Sequence, residues 1–150
     1  MAAPGLTLFF PCANEAQTIG GLVARADQIA GELTPDYEII VVDDGSTDGS
    51  RSLLEGLRER YPRLRLVFHE KNLGYGAALL SGFRNASKEW VFYTDSDGQY
   101  DVSELSNLWS ERRSGVDWVN GYKISRKDPW HRIVSVSLHR DGSSQLLNLQ

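Results

Sequence analysis

The sequence has little that would tie it to the outside of a cell or to the interior of a membrane. It contains one cysteine, Cys12, so no internal disulfide can form and a reducing compartment is expected. Its first residues, M-A-A-P-G-L-T-L-F-F-P, lack the basic region and the long apolar core of a signal peptide. No run approaches the roughly 20 apolar residues of a membrane-spanning helix. We therefore expect a cytoplasmic protein whose contact with a membrane is peripheral and on the cytoplasmic face.

Excess positive charge and the common nucleotide-binding motifs are also missing. The chain has 16 lysines and arginines but 20 aspartates and glutamates, so its net charge is −4 and it is not built to coat a nucleic acid. No G-x-G-x-x-G follows the first or second predicted strand, and no G-x-x-x-x-G-K-[ST] occurs anywhere. These absences count against a dinucleotide-dependent enzyme and against a P-loop NTPase. The three histidines show no spacing typical of metal ligands.

What the chain does have is a regular alternation of apolar runs and helical periodicity. Its 150 residues, 41% of them hydrophobic, suffice for one domain with a hydrophobic core. The predicted strands are residues 6–10, 37–42, 64–69, 90–94 and 116–120. The predicted helices are residues 15–33, 47–61, 75–85 and 102–113. Alternation at about thirty-residue spacing predicts βαβ units, and therefore an α/β fold with a mostly parallel sheet flanked by helices.

Polar motifs follow these predicted strands, at the point where each strand ends. Right-handed crossovers place the carboxyl ends of parallel strands on one edge of the sheet, where α/β proteins bind ligands. That edge would carry residues 11–15, 43–48, 71–74, 95–99 and 121–126. Ordinary solvated loops would not be sorted to one edge in this way. The sequence therefore predicts a ligand site there.

The most informative of these motifs is D-S-D-G-Q, residues 95–99. Two carboxylates one residue apart repel each other and raise each other's pKa, so they need a compensating partner. Asp95 and Asp97, with the amide oxygen of Gln99, would suit Mg²⁺ or Mn²⁺ bound to a diphosphate. The alternative is an acidic turn that ends a strand and caps the next helix. The tripeptide alone favours neither interpretation.

The other strand-end motifs each have a functional and a structural interpretation. A carboxylate of Asp43 or Asp44 could accept hydrogen bonds from a base or from ribose, although the pair alone fits a plain strand-to-helix turn somewhat better. Asn14 and Glu15 could hold a nucleoside or could start a helix. The loop at residues 71–74, with Asn72 and Gly74, could orient a sugar nucleotide or could be a surface loop.

A basic segment follows the last predicted strand, in an otherwise acidic chain. Residues 123–132 include Lys123, Arg126 and Arg132, and guanidinium groups suit phosphate oxygens. The alternative is a solvated loop with a cation–π contact to Trp130. The phosphate-binding interpretation is slightly favoured. Cys12 has no obvious base partner in the sequence and is interpreted as a packed small residue.

Four motifs taken together, in this order and spacing, resemble glycosyltransferase family 2. They are P-C-A-N-E, V-V-D-D-G-S-T-D, K-N-L-G-Y-G-A-A-L and Y-T-D-S-D-G-Q-Y-D. Within that family the chain is most similar to dolichyl-phosphate mannose synthases and bacterial polyprenyl-phosphate glycosyltransferases, on the position of Gln99 and the segment S-R-K-D-P-W-H-R. The resemblance implies a GT-A fold. It also implies inverting, Mg²⁺- or Mn²⁺-dependent transfer of a sugar from a UDP- or GDP-linked donor to a polyprenyl phosphate at a membrane surface.

The resemblance also implies roles for single residues. The nucleoside pocket would be lined by Pro11, Asn14, Glu15 and Asp44. Ribose and phosphate would be contacted by Asp95 and Ser96, and the metal would be held by Asp97 and Gln99. The catalytic residues, which would stabilise charge on the leaving diphosphate, would be Asp97, Lys123, Arg126 and Arg132. Lys123 stands where mannose synthases usually have an arginine, and a lysine offers a point charge instead of a fork.

The resemblance covers residues 6–132, which divides the chain into a partial GT-A domain, 1–132, and an atypical C-terminal tail, 133–150. Catalytic domains of this family usually run well past this length, so the acceptor half is expected to be incomplete. Two alternatives follow. One is a nucleotide-sugar-binding domain without catalysis, and the other is a glycosyltransferase with a sugar-hydroxyl acceptor, which would need a carboxylate base. An incomplete edge would expose apolar surface, so a homo-oligomer is expected.

Overall fold

The computed structural model describes residues 2–113, 115, 117–121 and 136–140. Its strands are β1 (Leu6–Cys12), β2 (Tyr37–Asp44), β3 (Leu64–His69), β4 (Trp90–Tyr93), β5 (Trp118–Gly121) and β6 (Val136–Arg140). Its helices are α1 (Ile19–Leu33), α2 (Ser50–Arg60), α3 (Tyr75–Asn85) and α4 (Leu105–Ser110), and a 3₁₀ turn, Val102–Glu104, leads into α4. Within these described residues, no helix is both long and apolar enough to cross a bilayer.

The strands form one sheet in the order β3-β2-β1-β4-β6-β5. Strands β1 to β4 pair in parallel, whereas β6 runs antiparallel to both β4 and β5. The predicted α/β fold with a mostly parallel sheet is therefore confirmed. Strand β6 was not predicted, because the resemblance stopped at residue 132. The alternating sequence V-S-V-S-L at residues 134–138 is the strand signal that could have indicated it. The division of the chain at residue 132 stays a prediction.

The sheet has hydrophobic side chains on both faces, since successive residues of a strand point to opposite sides. On one face Leu8 and Phe10 of β1 pack in a cluster with Val23 of α1. On the other face Phe9 and Ile40 pack with Ala78 of α3. Helices therefore cover both faces of the central strands, which explains why β1 and β2 read as nearly continuous apolar runs.

Strand β1 continues through Pro11, where the sequence predicted its end. Pro11 pairs in register with Val42 of β2, whereas β4 ends opposite Phe9. The carbonyl oxygen of Pro11 accepts a hydrogen bond from Ser96 Oγ at 2.7 Å, so this part of Pro11 faces the β4 side. Pairing with β2 therefore does not need the N–H group that proline lacks.

Two helices begin later than predicted, because the residues before them have other partners. Helix α1 begins at Ile19, after a turn in which Glu15 O accepts from the N–H groups of Thr18 and Ile19. Helix α2 begins at Ser50, and its N-cap is Gly49, with a φ of 91°. Thr47, where the sequence predicted the helix to begin, and Ser46 before it instead contact Asn14 in the loop after β1. The predicted helix at 102–113 is the 3₁₀ turn followed by α4, which ends at Ser110.

Gly82 is the point at which α3 packs against β1. A Cβ at this position would overlap the ring of Phe9, which is fully buried. We expect Gly82→Ala to lower the free energy of unfolding by about 1–3 kcal/mol, because overpacking outweighs the gain of about 1 kcal/mol in helix propensity. In Gly56→Ala, on α2, the added Cβ meets nothing within 4 Å, so this control should be neutral or slightly stabilising. Urea denaturation measures both variants, and equal stability of the two would contradict this packing.

Candidate active site

A cavity of about 650 Å³ opens at the carboxyl ends of β1, β2 and β4. This is the edge that the sequence predicted for a ligand site, and the structure brings several of the predicted residues together in it. The predicted residues that line the cavity are Pro11, Glu15, Asp44, Asn72, Asp95, Ser96, Asp97 and Gln99. Asn14, Asp43 and Gly74 are not among its lining residues. Lys123, Arg126 and Arg132 lie outside the residues that the structure describes.

Asp43 is fully buried and faces the helix α2 side of its strand. Arg51 Nη2 lies 3.1 Å from Asp43 Oδ2, and the same guanidinium donates to the carbonyl oxygen of His69 at 2.7 Å. The arginine also lies over the ring of Phe68, 4.6 Å from its centroid. Asp43 therefore ties α2 to the edge of the sheet. Its other oxygen, Oδ1, is buried without a hydrogen-bond partner among the described residues.

Asp44 points to the opposite side and holds the loop that follows β3. Its Oδ1 accepts from Leu73 N–H and from His69 Nδ1–H, each at 2.8 Å, and its Oδ2 accepts from Gly74 N–H at 3.0 Å. Burial alone would raise the pKa of Asp44, but the hydrogen bonds from Leu73, His69 and Gly74 outweigh it and lower that pKa below its ordinary value. The carboxylate that was predicted to hold a nucleoside thus also organises the wall of the cavity.

Because the pKa of Asp44 is lowered in the folded state, the contribution of this side chain to the free energy of unfolding depends on pH. Above its ordinary pKa of 3.8 the contribution is fully present, and it is lost as the pH falls through the lower pKa of the folded state. We expect Asp44→Asn to cost about 1–3 kcal/mol near pH 7, because an amide cannot accept all three hydrogen bonds. As the pH falls below 3.8, the difference from the unmodified protein should shrink. Urea titrations from pH 7 to pH 2.5 measure it, and a difference that grows in acid would contradict this assignment.

The loop after β1 is joined to the loop after β2 by backbone-to-side-chain hydrogen bonds. Asn14 N–H donates to Ser46 Oγ at 2.9 Å, and Asn14 Oδ1 accepts from Thr47 N–H at 2.8 Å. Glu15 N–H donates to Ser50 Oγ at 3.1 Å. The side chain of Asn14 therefore contacts protein, and its φ of 56° fits this tight turn. The same bonds place Glu15 at the cavity.

The D-S-D turn is held in place by Ser96. Its hydroxyl, which is buried, donates to the carbonyl oxygen of Pro11, and its own carbonyl oxygen accepts from Thr18 Oγ1 at 2.7 Å. The two flanking aspartates each have one oxygen held by the protein. Asp95 Oδ1 accepts from the hydroxyl of Tyr75 at 2.8 Å, and Asp97 Oδ1 accepts from Gln99 N–H at 3.0 Å. In each case Oδ2 has no hydrogen-bond donor among the described residues.

These oxygens fit a divalent cation that is shared with a diphosphate. Within the described part of the chain, no group of three or more His, Cys, Asp or Glu side chains could hold a metal ion by itself. Asp95, Asp97 and the amide of Gln99 offer hard oxygen atoms, and all three residues line the cavity. Mg²⁺ is typically held by one or two carboxylates, with phosphate oxygens and water completing its shell. The donor set therefore suits a metal that arrives with a nucleotide better than a resident metal.

The sequence analysis missed two tyrosines that line the cavity, Tyr75 and Tyr100. Burial raises the pKa of both phenols well above the ordinary value, and for Tyr75 the hydrogen bond to Asp95 and its negative charge add to that effect. Both hydroxyls are therefore protonated at neutral pH. The signal for Tyr75 was its place between two glycines at the start of a helix.

Cys12, interpreted as a packed residue, is buried, and burial first and then the charge of Asp43 raise its pKa to about 11.

A mostly parallel α/β sheet with an acidic turn after its fourth strand, at a cavity on the carboxyl edge, fits the GT-A fold that the sequence motifs implied. The predicted GT-A fold is confirmed by similarity to solved glycosyltransferases. The chain belongs to glycosyl transferase family 2, whose family model matches residues 7–146. The resemblance stated from the four sequence motifs is thereby confirmed.

Known relatives are similar to the chain over most of its length. An undecaprenyl-phosphate 4-deoxy-4-formamido-L-arabinose transferase of Serratia proteamaculans is 31% identical over 128 residues, which cover 85% of this chain and 39% of the relative. The mannosyltransferase PcManGT of Pyrobaculum calidifontis, solved with GDP-Man and Mn²⁺, has a TM-score of 0.63 at 29% identity, over 78% of this chain and 36% of that protein. TarS of S. aureus, solved with UDP-GlcNAc, has a TM-score of 0.56 at 28% identity, over 69% and 29%. The chain thus spans about two fifths of the length of the curated relatives it matches.

Proposed function

We propose that the chain binds a UDP- or GDP-linked sugar together with Mg²⁺ or Mn²⁺ and serves in the inverting transfer of that sugar to a polyprenyl phosphate. The observation that carries this proposal is the D-S-D turn. Asp95 and Asp97 line one cavity, and each has one carboxylate oxygen without a hydrogen-bond donor among the described residues. The undecaprenyl-phosphate transferase supports the polyprenyl-phosphate acceptor, and the structures of PcManGT with GDP-Man and TarS with UDP-GlcNAc support the nucleotide-sugar donor.

The nucleoside of the donor would lie against the loops after β1 and β2. Pro11, Glu15 and Asp44 line this part of the cavity, with Asn72 on the adjacent loop. Among the described residues, Asp44 Oδ2 accepts one hydrogen bond, which leaves acceptor capacity for a base N–H or a ribose hydroxyl. Asn14, Asp43 and Gly74 would support the site without lining the cavity, because their hydrogen bonds hold the segments that line it.

The diphosphate of the donor would lie at the D-S-D turn. When bound between Asp95, Asp97, Gln99 and the diphosphate, a divalent cation supplies stabilisation of the negative charge that develops on the leaving group. Ser96 holds the turn against β1, so its role is to fix the two carboxylates. Lys123, Arg126 and Arg132 stay predictions for additional contacts to the phosphates.

The transfer needs no general base if the acceptor is a phosphate. A phosphate monoester is ionised near neutral pH, so one of its oxygens can attack the anomeric carbon directly. The new carbon–oxygen bond forms as the bond from the anomeric carbon to the β-phosphate oxygen breaks. The electron pair of that bond leaves with the nucleoside diphosphate. Attack opposite the leaving group inverts the anomeric centre. A polyprenyl phosphate resides in a membrane, so the protein would meet its acceptor peripherally, at the cytoplasmic face.

Isothermal titration calorimetry tests this function, with UDP- and GDP-linked sugars in the presence of Mn²⁺ or of EDTA. We expect one of the two nucleotide classes to bind, with an affinity that depends on Mn²⁺. A parallel assay with a polyprenyl phosphate in detergent measures sugar transfer. Manganese-dependent binding without transfer would select the alternative of a nucleotide-sugar-binding domain without catalysis. If neither nucleotide class shows manganese-dependent binding, the proposed function is wrong. Self-association stays a separate prediction, which sedimentation velocity can test.

A further inference from the structure

Tyr75 makes a contact at the acidic turn that nothing in the sequence motifs assigns. It is the first residue of α3, and its hydroxyl donates to Asp95 Oδ1 at 2.8 Å. Among the residues that the structure describes, no other hydrogen bond reaches the Asp95 side chain. The residue as a whole is 54% exposed and borders the cavity. The tyrosine thus has a fixed polar end and an open apolar face.

The backbone that carries Tyr75 is anchored on the other side of the cavity. Gly74 N–H, one residue earlier, donates to Asp44 Oδ2 at 3.0 Å, and Gly74 O accepts from Ala78 N–H at 3.1 Å. A tyrosine has two side-chain torsions, so an anchored backbone leaves its hydroxyl few positions. A continuous series of contacts therefore links Asp44 on β2, through Gly74 and Tyr75, to Asp95 after β4.

We infer that Tyr75 is a positioning residue for the proposed donor site: by donating to Oδ1 it holds the Asp95 carboxylate so that Oδ2 is available to the cation and diphosphate. The inference rests on the proposed function, because it assigns Tyr75 a task at that site. Without the phenol, Asp95 could rotate, and ordering it on ligand binding would cost affinity. The hydroxyl acts through Asp95 and not by touching the ligand.

Replacing Tyr75 by phenylalanine removes this hydroxyl and keeps the ring. We expect the affinity for GDP or UDP in the presence of Mn²⁺ to fall about tenfold, which is the size expected for the cost of ordering one side chain on binding. The affinity in EDTA should not change, and the urea midpoint should change little, because this hydrogen bond is exposed. Tyr93→Phe is the matched control, because Tyr93 lies two residues before Asp95 and its ring packs on Phe9 and Phe83. It should bind as the unmodified protein does.

A double-mutant cycle with Asp95→Asn separates positioning from direct contact. In the Asp95→Asn background, Tyr75→Phe should cause no further loss of manganese-dependent affinity. An equal loss in both backgrounds would overturn the inference, because Tyr75 would then act on the ligand itself. Unchanged affinity of Tyr75→Phe, with the unmodified protein binding normally, would overturn it too and would leave the proposed function intact. Absence of manganese-dependent binding in the unmodified protein would instead overturn the proposed function and this inference together.

Discussion

Replacing Asp97 by alanine should remove most of the manganese-dependent affinity for the nucleotide sugar, a loss of at least about a hundredfold, or ~2.7 kcal/mol. Asp97 is partly exposed at the cavity, and its Oδ2 has no hydrogen-bond donor among the described residues. A cation held by two protein carboxylates and a diphosphate would have only one of those carboxylates left in this variant. Binding in EDTA should change little, because that part of the affinity comes from the nucleoside.

The fold should tolerate this substitution, which keeps the test interpretable. The Asp97 side chain accepts one local hydrogen bond, from Gln99 N–H, so its loss should cost about 0.5–1.5 kcal/mol of stability. Asp101→Ala is the matched control, because Asp101 also accepts from a backbone N–H two residues later but does not line the cavity. Asp101→Ala also removes one negative charge, four residues after Asp97, and should keep the full affinity. Calorimetry with Mn²⁺ measures both. Unmodified affinity in Asp97→Ala would remove this residue from the metal site.

Replacing Glu38 by alanine should have the largest effect on stability, about 2–4 kcal/mol, because it removes the acceptor shared by several hydrogen bonds, one of them from the fully buried hydroxyl of Thr7. Glu38 is 7% exposed on β2. Its Oε1 accepts from Thr7 Oγ1 and from Ser87 N–H, each at 2.7 Å, and its Oε2 accepts from Arg65 Nη1 at 2.7 Å. Burial alone would raise the pKa of Glu38, but the bonds from Thr7, Ser87 and Arg65 outweigh it and lower that pKa. This one side chain thus links β1, β3 and the loop that leads into β4.

Urea denaturation of Glu38→Ala at pH 7 measures this loss. The hydroxyl of Thr7, which is fully buried, would remain without its acceptor, and this is the main source of the cost. Glu59→Ala is the control, because Glu59 is an exposed glutamate on α2, and surface substitutions of this kind usually stay within about 0.5 kcal/mol. A midpoint for Glu38→Ala that equals that of Glu59→Ala would show that the network does not stabilise the sheet.

The parts of the fold that the sequence predicted are those with local signals. Strands β1, β2 and β4 are largely buried apolar runs between helical patterns, and β3 is a partly buried one, so the existence of these strands follows from the sequence pattern. Their ends do not, because an end depends on the neighbouring strand. Pro11 remains in β1 since pairing continues on the β2 side alone. Strand β6 inserts between β4 and β5, and this insertion requires contacts across the chain that no local pattern contains.

The candidate site also has residues whose position the sequence could predict and residues whose position it could not. Carboxylates at strand ends could be placed at one edge by topology, which accounts for Asp44, Asp95 and Asp97 at the cavity. The different roles of Asp43 and Asp44 follow from the alternation of side chains along a strand, and the sequence could have indicated them. Asn14 is taken up by the loop after β2, and Tyr75 reaches Asp95 across 20 residues of chain. Such partners become visible only when the fold brings distant segments together.

A crystal structure with Mn²⁺ and either GDP or UDP, with the manganese located by its anomalous signal, is the decisive measurement for the proposed metal site at the D-S-D turn. We expect one manganese peak at bonding distance from a carboxylate oxygen of Asp97 and from oxygens of the diphosphate. A nucleotide bound in the cavity with no manganese between it and this turn, or a manganese bound elsewhere, would show that the proposed metal site is wrong.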